Sequence, residues 1–180
     1  MAKLLLHTCC APCVIYPWDA LQKKGFEVTG LYYNPNIYPQ EEFNIRKNAL
    51  EIYNQKVKIN IIYQPYNHQE FLEAIGPNIH RPERCIKCWE LRLKNTAKYA
   101  KQNGFEYFSS TLLVSPHQDQ DVLKNIGERL SQEEGVKYYY EDFRPGYRDA
   151  HNKAKEMGLY CQKYCGCEYS IPESKAVKKK

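Results

Sequence analysis

Eight cysteines set the chemistry open to this 180-residue chain, and they fall into three clusters. Cys9, Cys10 and Cys13 sit in HTCCAPC (residues 7–13), Cys85 and Cys88 in RCIKCWELRL (84–93), and Cys161, Cys165 and Cys167 in and beside QKYCGC (162–167). Thiolates ligate soft metals and act as nucleophiles in redox exchange. Two thiols spaced Cys-x-x-Cys on a helix stand one turn apart and can grip one metal centre. The positive N-terminal end of that helix favours their negative charge. Alone, the 85/88 pair suits zinc, an iron–sulfur cluster or a thioredoxin-like dithiol; three clusters together point to metal.

Structural zinc sites usually join two closely spaced knuckles in a small ribbon or finger. Here Cys10 and Cys85 are 75 positions apart, and adjacent Cys9 and Cys10 make a poor zinc knuckle. Two vicinal thiolates on one backbone kink can instead reach separate irons of a larger cluster. The spacing therefore favours a [4Fe–4S] cluster held by Cys9, Cys10, Cys85 and Cys88. Cys161 is equally at home as a packed free thiol. Cys165 and Cys167 flank Gly166, where the backbone can turn sharply. Such a pair can close into a small strained disulfide, which is redox-active rather than structural, or clamp a second metal. These two are expected at the chemical step, with Cys13 the next candidate thiol.

Strands and helices must deliver these thiols to one place. Residues 3–7 read as a short buried strand, followed by a helix over Tyr16–Lys24, a strand over Glu27–Tyr33 and a loop at 34–39. A helix over Gln40–Asn54, a strand over Lys58–Tyr63 and a short helix over His68–Ile75 follow. Then come a long helix over Cys85–Asn103 with Gly104 as its C-cap, a strand at Phe105–Ser109 and a helix ending near Ser131. A strand at Val136–Tyr140 and a helix around Ala150–Met157 precede the cysteine-rich tail. Strands alternating with helices predict an α/β domain, a parallel sheet with helices on both faces, spanning 1–175 with a basic tail at 176–180. Function in such sheets sits at the carboxyl ends of the strands. Cys9, Cys10 and Cys13 lie there, just past the first strand. The loop has no Gly-x-Gly-x-x-Gly, no Walker A and no Ser-Gly-Gly-x-Asp-Ser, so no ATP is expected.

Composition narrows the classes further. Net charge is +5, and three of those charges are the terminal Lys178, Lys179 and Lys180, so a nucleic-acid partner is permitted but not demanded. Sixteen tyrosines suit packing at core edges, with a few free to stack on bases. No stretch is apolar enough to span a membrane, and the N-terminus lacks a signal-peptidase site, so a cytoplasmic protein is expected. In a reducing compartment these thiols are metal-binding or catalytic rather than stapled. No flavin or nicotinamide motif is visible, which leaves metal and thiols to carry electrons.

HTCCAPC, RCIKCWELRL, STLLVSPHQD (110–119) and QKYCGC, in that order over nearly the whole chain, resemble the cobalamin-independent QueH-type epoxyqueuosine reductases. The resemblance implies a Rossmann-like fold akin to PP-loop ATPase (HUP-like) domains without the ATP loop, and an iron–sulfur protein without cobalamin. It implies reduction of epoxyqueuosine to queuosine at the wobble position of tRNAs with GUN anticodons. Removing an epoxide oxygen as water takes two electrons and two protons. A cluster carries one electron at a time, so either a dithiol or a second, mononuclear iron acting as a Lewis acid would account for the further cysteines. A low-potential electron donor is then a required partner.

Nearby polar residues have two readings each. His7 ends a buried strand and suits a satisfied core histidine. His117, Asp119 and Asp121 open a helix; Asp119 is a candidate acid or metal ligand, or an N-cap. Arg84, Lys87 and Arg92, with Arg81, surround the Cys-x-x-Cys; they form a solvated helix face or a tRNA-phosphate patch, and the patch is the expectation. The competing functions are a PP-loop-like tRNA thiolation or sulfur-transfer enzyme and a zinc-stabilised RNA-binding module.

Overall fold

The computed structural model describes residues 1–177. The elements run β1 (Lys3–His7), α1 (Ala11–Lys23), β2 (Glu27–Tyr32), α2 (Gln40–Val57), β3 (Ile61–Tyr63), α3 (His68–Ile75) and α4 (Glu83–Gln102). They continue with β4 (Tyr107–Ser110), α5 (Gln120–Glu134), β5 (Lys137–Tyr138), α6 (Tyr147–Glu156) and α7 (Ser170–Val177). The five strands form one sheet in the order β3-β2-β1-β4-β5, every pair parallel. Helices flank it on both faces: α1 packs on α2 and α6, and α4 packs on α3 and α5.

Leu4, Leu5 and Leu6 are fully buried, as a central parallel strand covered on both faces requires. The chain winds outward from β1 to β3, then crosses back to place β4 on the other side of β1. The order reverses between β1 and β4, so the topological switch point lies at their shared C-terminal edge, where His7 is in register with Ser110.

Several boundaries differ from the sequence expectation. Helix α1 begins at Ala11 rather than Tyr16, because Pro12 sits in the first turn, where its missing N–H costs nothing. Cys13 is therefore helical, and Pro17, inside the helix, leaves the Cys13 carbonyl without its intrahelical donor. Helix α2 runs to Val57 and closes on Lys58 at φ 56°, which shortens β3 to Ile61–Tyr63. The tail is not featureless. It carries α7, whose last residues Ala176 and Val177 belong to the expected basic tail; Lys178, Lys179 and Lys180 lie outside the described residues.

Candidate functional site

At the end of β1 the chain leaves the sheet in extended form through Cys10 and turns into α1. Cys9 and Cys10 thus occupy the joint, and Cys13 the first turn of the helix. All three are buried, and their sulfurs lie within 4.8 Å of one another. Cys9 and Cys10 are 3.6 Å apart at Sγ. Thr111, the residue after β4, secures Cys9 twice: its Oγ1 accepts from the Cys9 amide at 3.1 Å, and its hydroxyl donates to Cys9 Sγ at 3.3 Å. Hydrogen bonds from Cys10 and Cys13 hold the Cys9 thiol well below its ordinary pKa. Burial pushes Cys10 up, and Cys13 is pushed well up by its bonds to Cys10 and Cys9. Three convergent soft donors fit a sulfur-ligated metal centre.

A second group of thiols stands apart from this triad, with Arg92 against its Cys88 and in one cleft wall with Cys9 and Cys13. Cys85 and Cys88 lie in the opening turns of α4 and line a small cavity together with Cys165, Cys167, Phe71 and Trp89. Burial drives the Cys88 thiol up to about 12, opposed by the nearby Arg92 charge, and raises Cys85 and Cys167 as well. All eight cysteines are free thiols, so the Cys165–Cys167 disulfide is not formed in this state.

Beside both groups, at the switch point, a cleft of about 440 Å³ opens. That is the size of a small-ligand pocket. Cys9, Cys13, Thr111, His117, Tyr147, His151 and Cys165 are in its wall, and Cys165 lines the small cavity too. Two glutamine amides reach towards sulfur: Gln162 to Cys13 at 4.0 Å and Gln118 to Cys165 at 3.9 Å. His151 Nδ1–H donates to the Tyr147 carbonyl at 3.0 Å, which leaves Nε2 as its free nitrogen.

The tail that carries Cys165 and Cys167 is held by a buried clamp on α2. Arg46 pairs with Glu42 one turn earlier at 2.8 Å and donates to the carbonyls of Tyr164 and Cys165, each at 3.1 Å. Tyr160 donates to both oxygens of Glu42, at 2.9 and 3.1 Å. Gly166 stands at φ +144°, open to glycine, and its carbonyl accepts from the Tyr38 amide at 2.9 Å. Sequence reasoning missed this clamp, because Glu42 and Arg46 at i, i+4 look like a surface pair. It also missed Tyr147, His151 and Gln118, for which single residues outside the cysteine clusters offer no signal.

The remaining expected site residues fall in three places. Asp119 is exposed at the N-cap of α5, where Oδ1 accepts from the Val122 amide at 3.0 Å; it is not in the cleft wall. Arg84 is buried, and its guanidinium meets both Glu173 oxygens at 2.9 Å. Arg92 is buried as well, donating to His7, Asn34 and Cys88. A phosphate patch needs exposed cations. Of Arg84, Lys87 and Arg92 only Lys87 is exposed, with Arg81 beside it. His7 is a core histidine: burial and the Arg92 charge lower it to about 3, so it is neutral.

The family model described as epoxyqueuosine reductase QueH matches residues 4–173. Epoxyqueuosine reductase QueH of Dehalococcoides mccartyi is 40% identical over 169 residues, covering 93% of this chain and 92% of that protein. Its counterpart from Thermotoga maritima is 33% identical over 184 residues, covering 96% and 92%. Among solved structures, a protein described as "predicted subunit of tRNA methyltransferase" from Methanocaldococcus jannaschii superposes with a TM-score of 0.60. It is 10% identical, covering 87% of this chain and 76% of that one, and so speaks for the fold alone.

Proposed function

Because the chain belongs to the epoxyqueuosine reductase QueH family, we propose that it reduces epoxyqueuosine to queuosine at the wobble position of tRNAs with GUN anticodons, in the cleft at the β1–β4 edge. The observation that carries the reading is seven free thiols gathered around that cleft and the cavity adjoining it. The reaction takes up two electrons and two protons, breaks both epoxide C–O bonds, and releases the oxygen as water.

The donor set fits an iron–sulfur centre: Cys9, Cys10 and Cys88 are buried and Cys85 half-buried, none is paired in a disulfide, and the Arg92 cation stands beside Cys88. Cys9, Cys10, Cys85 and Cys88 would hold a [4Fe–4S] cluster, which when bound supplies electrons one at a time from a low-potential donor protein. Cys165 and Cys167 act at the chemical step, as a dithiol or as ligands of a second iron. Cys13 Sγ and His151 Nε2 stand in the cleft wall as the groups to pass protons to the departing oxygen. The Gln162 and Gln118 amides orient the Cys13 and Cys165 sulfurs. The cleft admits one nucleoside, not a stacked loop, so the modified nucleotide must be turned out of the anticodon loop. Exposed Arg81, Lys87 and Lys163 are the cations left to meet the phosphates.

Anaerobic purification followed by iron, sulfide and zinc quantitation tests the reading, together with turnover of epoxyqueuosine-containing tRNA under a low-potential reductant. Iron and sulfide are expected, with visible absorbance lost on Ala substitution at Cys9, Cys10, Cys85 or Cys88. Full cluster content in Cys88→Ala would remove that ligand assignment. Zinc without iron would make the chain an RNA-binding module, and ATP hydrolysis would favour thiolation chemistry.

A further inference from the structure

Arg92 carries a charge that no carboxylate among the described residues balances. Its side chain is 3% exposed. Nε donates to His7 Nε2 at 3.3 Å, and the two terminal nitrogens donate to Asn34 Oδ1 at 2.9 Å and towards Cys88 Sγ at 3.9 Å. His7 is neutral, its Nε2 lying also 3.1 Å from the Tyr33 carbonyl, and an amide oxygen is neutral as well. The other two deeply buried arginines are built differently: Arg46 has Glu42 and Arg84 has Glu173. An isolated buried cation is strongly unfavourable, and folds keep one only where an anion meets it.

The anion that geometry offers is sulfur. Arg92 lies against Cys88 and shares the cleft wall with Cys9 and Cys13. Arg92 therefore touches one cysteine cluster and faces the other, held by two neutral partners, His7 on β1 and Asn34 on the loop after β2.

We propose that Arg92 is the built-in counter-charge of the thiolate centre, a positioning residue set between the two cysteine clusters rather than a contact for RNA phosphate. The proposal deepens the iron–sulfur reading above and rests on it for the identity of the metal. A centre ligated by several thiolates is anionic, and reduction makes it more so. A fixed neighbouring cation favours that added charge and raises the reduction potential, as charge and hydrogen bonding to the sulfurs do generally.

Three variants read this in the metal-loaded protein: Arg92→Met, Arg92→Gln, which keeps an amide donor for Asn34, and Arg92→Lys, which keeps the charge. Iron and sulfide per chain, the midpoint potential, and the salt dependence of tRNA binding are measured for each. The two neutral variants should show a potential shifted negative of wild type, or lose the cluster. Arg92→Lys should keep the cluster and recover most of the potential. The salt slope of tRNA binding should not change. Wild-type potential and full occupancy in a neutral variant would overturn the proposal. So would a salt slope smaller by about one with the potential unmoved, which is the signature of a phosphate contact. If the wild-type protein holds zinc without iron, the cluster reading fails on its own. The counter-charge is then read from the zinc Kd, which should weaken in Arg92→Met and recover in Arg92→Lys; equal values would overturn it.

Discussion

Replacing Arg46 by Met removes the clamp that seats the Cys-Gly-Cys segment. The loss comprises a 2.8 Å ion pair with Glu42 and two 3.1 Å bonds to the Tyr164 and Cys165 carbonyls, all around a guanidinium that is 2% exposed. Glu42, itself 7% exposed, is left with only the Tyr160 hydroxyl for company. Breaking a buried pair by deleting one partner costs about 3–5 kcal/mol, because the survivor is an uncompensated charge. For a chain of this length each kcal/mol moves the melting temperature by about 2–4 °C, so a drop of roughly 6–20 °C is expected. Anaerobic urea and thermal unfolding would measure it, with hydrogen exchange reporting the loss locally at residues 159–167. Adding Glu42→Gln should recover about 1–3 kcal/mol, since the orphaned charge goes with it. The reasoning fails if Arg46→Met stays within about 1 kcal/mol of wild type, or if the double variant is as unstable as the sum of the singles.

Cys165→Ser and Cys167→Ser should each abolish turnover while leaving the cluster spectrum in place; near-normal turnover would take the pair out of the mechanism and make Cys13 the next thiol to test. Asp119→Ala should lower stability by about 1 kcal/mol through loss of the α5 cap and leave single-turnover rates unchanged, a result read by urea titration alongside the tRNA assay. Joint charge reversal at Arg81 and Lys87 should weaken tRNA binding about equally for all sequences and flatten its salt slope by about two, whereas unchanged affinity would place the RNA elsewhere. Gly127→Ala should destabilise markedly, because a Cβ there would stand 2.1 Å from the Tyr138 ring; a melting temperature near wild type would contradict that packing.

The alternation of strands and helices was legible because the strands are short apolar runs separated by turn residues, and the thiols were legible because cysteine has few other uses in such a chain. Helix starts were harder. α1 opens at Ala11 rather than Tyr16, with Pro12 in its first turn and Pro17 tolerated inside it. Helix α7 was missed because its eight residues include Pro172 and carry little amphipathic pattern. Charge was misread for the reason that burial is a property of the whole fold. Arg84 and Arg92 sit on the inward face of α4, and nothing local distinguishes them from Lys87, which points out. The partners that make their burial tolerable, Glu173 and the His7–Asn34 pair, lie 89, 85 and 58 positions away.

Those separations also order events in time. Cys13 and the Gln162 amide that reaches it stand 149 positions apart, and Arg46 holds carbonyls 118 and 119 positions downstream. A ribosome adding about 5–20 residues per second needs roughly 7–30 seconds to make that stretch. For that interval the Cys9, Cys10 and Cys13 sulfurs lack the Gln162–Cys165 wall of the cleft, and soft metals and oxidants can reach them from the side it will close. Docking of residues 159–167 onto α2 therefore follows synthesis of the β1–α1 joint by that interval. Whatever the thiols bind must arrive before that step or pass through the mouth it leaves.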